Sequence, residues 1–215
     1  MVFYSSGSDK HLTNWVAQKI GSEGLRKVIF LFIFGVVAVV GYLIYYFNQY
    51  HIANDREAIQ LSIMEWMNHD SESIEIIVKE IVQLDDTSSY IVLFQTKNGN
   101  VGYAHLIKGW NGKFIIVSSG GYGTNIVSYE MIKTNDGNYG ILFGKNPELI
   151  VDHIKVELYY ENYDYIVDVS TDELFVEYKL LPAEIKNPFP AELTYFDKEQ
   201  LMIELSHILI SAKES

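Results

Sequence analysis

The 215-residue chain contains no cysteine. Disulfides, thiolate nucleophiles and cysteine-ligated metals are therefore excluded. Proline is scarce: there are four, none before position 147. Basic residues are outnumbered, 16 Lys and Arg against 28 Asp and Glu, for a net charge of −12. That balance disfavours a nucleic-acid partner. No Asn-x-Ser/Thr acceptor occurs, and neither G-x-S-x-G nor H-E-x-x-H is present. The six histidines are scattered and show no metal-ligand spacing. Gly144-Lys145-Asn146 falls short of a phosphate loop, because Tyr139 stands where a glycine is needed and Asn146 where Ser or Thr is needed. Gly120, Gly121 and Gly123 do not open a helix, and read as a linker. No catalytic residue, no cofactor and no metal is expected on these grounds.

What the chain does have is one long apolar run, residues 28–47, VIFLFIFGVVAVVGYLIYYF, without a charge or a proline. As a helix it is about 30 Å long, the thickness of a bilayer's hydrocarbon core. No small-residue cleavage pattern follows it, so an uncleaved single-span anchor is expected. Lys10, Lys19, Arg26 and Lys27 precede the run, and only Arg56 follows before Met67. This asymmetry predicts a cytoplasmic tail and an exported body, attached to the cell membrane by one pass. Trp15, Arg26 and Lys27 are candidate contacts at the inner interface, and Tyr42, Tyr45, Tyr46 and Tyr50 at the outer one. Gly35 and Gly41 are six apart, which is not the spacing of a tight helix dimer.

The tail, residues 1–27, holds four basic and two acidic side chains, leaving −14 on the rest. Leu12, Trp15, Val16 and Ile20 make a helical stripe, so the tail is expected to lie on the inner leaflet or to serve as a positive flank. Residues 48–69 show helical spacing at Ile52, Ile59, Ile63, Trp66 and Met67, and this helix is expected to continue from the span. From Ser73 the period changes to two. Ile74, Ile76, Val78, Val82 and Leu84 are expected on one face of a first strand. Further strands cover 90–97, 100–108 and 113–119, with Asn98-Gly99 as a type I′ hairpin signal. Residues 48–119 thus read as a helix over a four-stranded antiparallel meander.

Residues 118–125, SSGGYGTN, mark a candidate boundary. Beyond it, 125–215 reads as a small β-sandwich with hairpins near Asn135-Asp136-Gly137-Asn138 and strands at 153–160, 163–169, 174–180 and 193–196. Asp197 to Gln200 fits a capping box, so residues 198–213 are expected to form a C-terminal helix, with a terminal hairpin strand as the competing reading. Asp152 and His153 are expected on opposite faces of a strand, and His105 to be satisfied or solvent-facing. Asp164, Asp168, Asp172 and Glu173 form an acidic group, read as a solvated edge rather than a calcium site. Trp110, at a hairpin tip, is a candidate partner contact, with folding back on its own sheet as the alternative.

The segments Gly140-Ile-Leu-Phe-Gly-Lys-Asn146, Ile166-Val-Asp-Val-Ser170 with Phe175, and Tyr195-Phe196-Asp197-Lys198 resemble uncharacterised single-pass exported membrane proteins of low-GC Gram-positive bacteria. The resemblance covers the last third of the chain and implies no activity. It departs at Lys198-Glu199-Gln200, where a glycine-containing turn is expected. The overall expectation is an α+β protein: one transmembrane helix, a juxtamembrane helix with an antiparallel meander, and a β-rich module. Its role is that of a membrane-anchored binding or assembly module, touching the lipid bilayer and another envelope or membrane protein. The alternatives are a scaffold subunit of a secretion or conjugation complex, or a small cell-envelope enzyme.

Overall fold

The structure, a computed structural model, describes residues 8–68, 74–121 and 126–204. The chain divides into two units, Met1–Gln49 and Tyr50–Ser215. The first holds one helix, α1 (Ser8–Gln49), of 42 residues. At 1.5 Å per residue it is about 63 Å long. The helical stripe expected in the tail and the span thus belong to one uninterrupted helix. Nothing in residues 8–27 breaks it, because no proline is present and the two glycines there cost only about 1 kcal/mol each.

The second unit begins with a correction. Residues 48–69 are not one helix continuing the span. α1 stops at Gln49, and Ile52 instead forms a two-residue bridge with Phe114. Asp55 then starts α2 (Arg56–Met67) by accepting the Ala58 N–H at 2.9 Å, which satisfies one of the helix's orphan donors. Ile59 and Ile63 are buried, but Trp66 is half exposed, so the packed face is narrower than the predicted stripe.

Among the described residues, eleven strands form three sheets. The first is the expected meander, β1 (Ile76–Gln83), β2 (Ser89–Thr96), β3 (Val101–Lys108) and β4 (Phe114–Gly120), paired in that order. β1 does not keep one face, as its spacing predicted. A bulge at Lys79 interrupts its register with β2. Ile76 and Val78 pack under α2, whereas Val82 and Leu84 pack on the opposite side. One extra residue reverses which parity points which way. Arg56 clamps the bulge through the Val78 and Lys79 carbonyls, at 2.9 and 3.1 Å.

The second sheet orders β5 (Val127–Lys133), β6 (Asn138–Lys145) and β9 (Leu174–Leu180) with β6 in the centre. The third orders β11 (Met202–Ile203), β10 (Ala191–Phe196), β7 (His153–Leu158) and β8 (Asp164–Asp168). Three apolar layers separate four structural layers. α2 and the first sheet enclose Ile59, Ile63, Val92, Phe94, Leu106 and Phe114. The first and second sheets enclose Leu84, Ile91, Leu93, Tyr139, Ile141 and Phe143. The second and third enclose Leu142, Phe175, Ile154, Val156, Leu158 and Tyr195. The parts that the sequence separates at 118–125 therefore share a core within one compact unit.

β2 and β6 are buried on both faces, which explains their unbroken apolar runs. In β6, glycine fills the two positions where the chain has no room. A methyl group at Gly140 would stand 2.6 Å from the Tyr165 hydroxyl and 2.8 Å from that of Tyr129. One at Gly144 would overlap the Ile126 carbonyl and stand 2.7 Å from the Val127 Cα.

Two turns differ from expectation. Asn98 does not adopt positive φ; Gly99 alone does, at 83°. The loop is therefore not type I′. Thr96 donates to the Asn100 carbonyl and Gly99 to that of Thr96, a three-residue connection with glycine at the left-handed position. The same pattern recurs where a helix was expected after Asp197. Gln200 donates to the Asp197 carbonyl, Asp197 to that of Leu201, and Gln200 takes φ 64°. Asp197 Oδ1 accepts from Glu199 N and Leu201 N, at 2.8 and 2.9 Å. What reads as a helix cap is a side-chain-supported hairpin turn. Met202 and Ile203 pair with Phe196 and Tyr195, so the strand reading holds at these residues. Residues 205–213 of the expected helix lie outside the described residues.

Two stability predictions follow from this geometry. Gln200→Gly relieves the left-handed strain and raises stability by about 0.5–1 kcal/mol. Gly144→Ala forces backbone apart and lowers the melting temperature by about 5–10 °C. Thermal unfolding followed by circular dichroism measures both.

Candidate functional site

Among the described residues, α1 carries most of the exposed large apolar side chains. Its segment Arg26–Gln49 is long and apolar enough to cross a membrane, and none of it is buried against protein. Phe30, Phe32 and Phe34 are each at least 65% exposed. A continuous apolar surface of this extent marks an interaction with lipid or protein. Arg26 and Lys27 sit exposed at its start. At its end Tyr42 and Tyr45 are exposed, while Tyr46 packs edge-on against Phe47 with centroids 6.2 Å apart. Tyr50 lies past the helix end, in the second unit. The Trp15 side chain lies outside the described residues. A Cβ built at Gly35 or Gly41 would meet nothing within 4 Å, so neither glycine serves packing within the chain.

Trp110 is 65% exposed at the β3–β4 turn, so it does not fold back fully over its sheet. Its neighbour Asn111 fixes that turn by donating to the Tyr50 carbonyl at 3.0 Å. Tyr159, Tyr160 and Phe189 form a second exposed aromatic group. The Tyr159 N–H donates to the Pro190 carbonyl, which brings the β7–β8 turn against the proline-bearing loop. Sequence spacing did not indicate this group, since its members are thirty residues apart.

Among the described residues, the histidines lie apart from one another. His105 is buried in β3, opposite Ile91 and Ser118, and its Nε2 has no hydrogen-bond partner. This corrects the expectation of a satisfied or solvent-facing histidine. Burial pushes its pKa down to about 4, so the ring is neutral at pH 7. Glu130, one residue after Tyr129, points toward the first sheet by strand alternation; burial raises its pKa. Asp152 and His153 are not on opposite faces. His153 Nδ1 lies 3.0 Å from Asp152 Oδ2, because Asp152 precedes β7 and escapes its pleat. The His153 ring stacks on Phe196, 4.9 Å between centroids.

The acidic group of the sequence is divided in space. Asp164 pairs with Lys155 at 2.9 Å. Asp168 accepts from Ser170 N and Oγ, which holds its carboxyl below the usual range. Burial and then Asp172 raise the pKa of Glu80; burial, then Glu80, Asp168 and Asp172 raise that of Glu177. These carboxylates repel one another, and among the described residues no group of three or more His, Asp or Glu is arranged to hold a metal ion. Gly144-Lys145-Asn146 is structural. Asn146 is fully buried, donates to the carbonyls of Val151 and Val169 at 2.7 Å each, and accepts from Val151 N at 3.0 Å. It fastens the end of β6 to the start of β7 and the end of β8, which lie side by side.

No protein-family model matches this chain, and no curated protein or solved structure is significantly similar to it.

The buried histidine gives a signed pH dependence. The unfolded chain binds a proton near pH 6.5 and the folded chain only near pH 4. Stability is therefore full above 6.5 and falls as pH drops toward 4. Relative to His105→Leu, the wild-type protein should lose about 2 kcal/mol between pH 7 and pH 5. Denaturant titrations of both proteins at the two pH values measure the difference.

Proposed function

We propose that this protein is a membrane-anchored binding or assembly module, with a cytoplasmic tail and an exported body. The observation that carries the reading is the exposed apolar segment of α1 joined to a separately packed, acidic body. In water that segment is a liability; in a bilayer it satisfies its own backbone and buries its side chains. The basic residues Arg26 and Lys27 at its start favour retention of that end in the cytoplasm. Tyr42, Tyr45, Tyr46 and Tyr50 then occupy the outer headgroup region, where an aromatic ring with a polar tip is favoured. Trp110 remains a contact for a partner. The partner is another envelope or membrane protein, and the body acts by presenting surface rather than by chemistry.

The absence of native cysteine makes topology directly measurable. Single cysteines placed at Ser6 and at the exposed Ser88 are labelled in living cells with a membrane-impermeant maleimide. Position 88 should react in intact cells, and position 6 only after permeabilisation. The membrane-bound protein should retain the mass of the whole chain. Loss of the first fifty residues would instead identify a cleaved signal sequence, and labelling at position 6 alone would reverse the orientation.

A further inference from the structure

We propose that the free edge of β8 is a docking site for an extended, basic segment of a partner protein, which adds a strand to the third sheet. This deepens the assembly reading and relies on it for the presence of a partner.

The sheet edges are not equivalent. At β1, side chains of α2 cover the edge: Arg56 donates to the Val78 and Lys79 carbonyls, and Gln60 accepts from Val78 N. At β4, Ile52 exchanges two backbone hydrogen bonds with Phe114. β8 is the last strand of its sheet and has no such cover among the described residues. Its register shows which groups are free. Leu158 N donates to the Tyr163 carbonyl, and Val169 N to that of Asp152. The odd-numbered residues therefore direct their backbone toward β7. Asp164, Ile166 and Asp168 direct theirs away from the sheet, as antiparallel alternation requires. Ile166, at the centre of this row, is 67% exposed.

Charge selects the occupant. The side chains of Asp164, Ile166 and Asp168 lie on the sheet face away from the core. Beside them, the cross-strand row is Glu192, Glu157 and Asp164. Asp168 lies farther along the same face, opposite His153, whose ring meets Asp152 at 3.0 Å, and Lys155 bridges Glu157 and Asp164 at 2.9 Å each. A second copy of the chain pairing antiparallel about Ile166 would set Asp164 of each copy opposite Asp168 of the other. Like charges directly opposite destabilise a strand pair. The edge thus repels its own kind, and accepts a strand with Lys or Arg facing the two aspartates and an apolar residue facing Ile166. Main-chain bonds supply affinity and these alternate side chains supply selection.

The test uses the full chain in detergent micelles and the acetylated, amidated heptapeptide TKVVVKT, whose alternate residues match that pattern. Hydrogen exchange reads the location and fluorescence anisotropy of a labelled peptide reads the affinity. The peptide should protect amides within residues 159–169 and no other edge. TEVVVET should bind about fivefold or more weakly, since two exposed ion pairs become repulsions. N-methylation of the central valine should abolish binding, as should Ile166→Pro. That proline removes the outward N–H only and leaves the β7 ladder intact. Equal binding of TEVVVET, survival of N-methylation, protection at β5 or β9 instead, or no binding up to the peptide's solubility limit would each overturn the proposal. Because the measurement is made in detergent, its outcome is independent of which way the chain faces in the cell.

Discussion

The double burial of β6 is the constraint from which the architecture of the body follows. Tyr139, Ile141 and Phe143 enter the layer shared with the first sheet, and Leu142 enters the layer shared with the third. Each such side chain contributes roughly 1.5–3 kcal/mol when removed from water. A strand with apolar groups on both faces must be covered on both, so neither neighbouring sheet is free to leave. The polar fittings follow the same logic. Tyr139 and Tyr178 donate to the Asp85 carboxylate at 2.8 and 3.3 Å, so that two tyrosines of the second sheet hold a turn of the first. Burial, followed by the hydrogen bond and charge of Asp85, pushes the Tyr139 pKa up to about 12, so this phenol stays a donor. On the opposite side, Asn146 satisfies three backbone groups that would otherwise be buried without partners.

A stack of sheets has outer strands, and the protein treats them differently. α2 and the Ile52 bridge close the edges of the first sheet. The third sheet keeps β8 open but charged. Charge at an edge normally prevents indiscriminate pairing. Here it coexists with an exposed isoleucine between the two aspartates, and this combination discriminates among strands rather than refusing all of them. In the proposed reading, the apolar helix fixes the molecule in place and the acidic body presents surfaces.

Much of this was legible in the residues. Twenty uncharged apolar residues announce a long lipid-compatible helix by length alone, and glycine at 99 and 137 marks turns that the structure confirms. Nearly every strand appears where two-residue alternation or an apolar run places it. The stacking was not legible, because a run such as Tyr139 to Phe143 declares that both faces are covered without saying by what. The Lys79 bulge was invisible for a related reason: its effect is on parity, which a single insertion reverses. Gln200 misled because Asp197 supplies the same acceptor to a helix start and to a hairpin turn. The open edge of β8 was half legible. Asp164 and Asp168 stand out as an acidic pair, but edge position depends on the order of strands in the sheet, which long-range packing decides.

Native-state hydrogen exchange as a function of denaturant tests the central claim, that β6 joins all three sheets into one cooperative body. The amides of Val92 and Leu106 in the first sheet, Ile141 in the second and Val156 in the third should merge into a single opening reaction with one free energy and one denaturant dependence. If the first sheet opened in a separate step while β6 and β7 stayed protected, the body would be two independent modules and the account of β6 would be wrong.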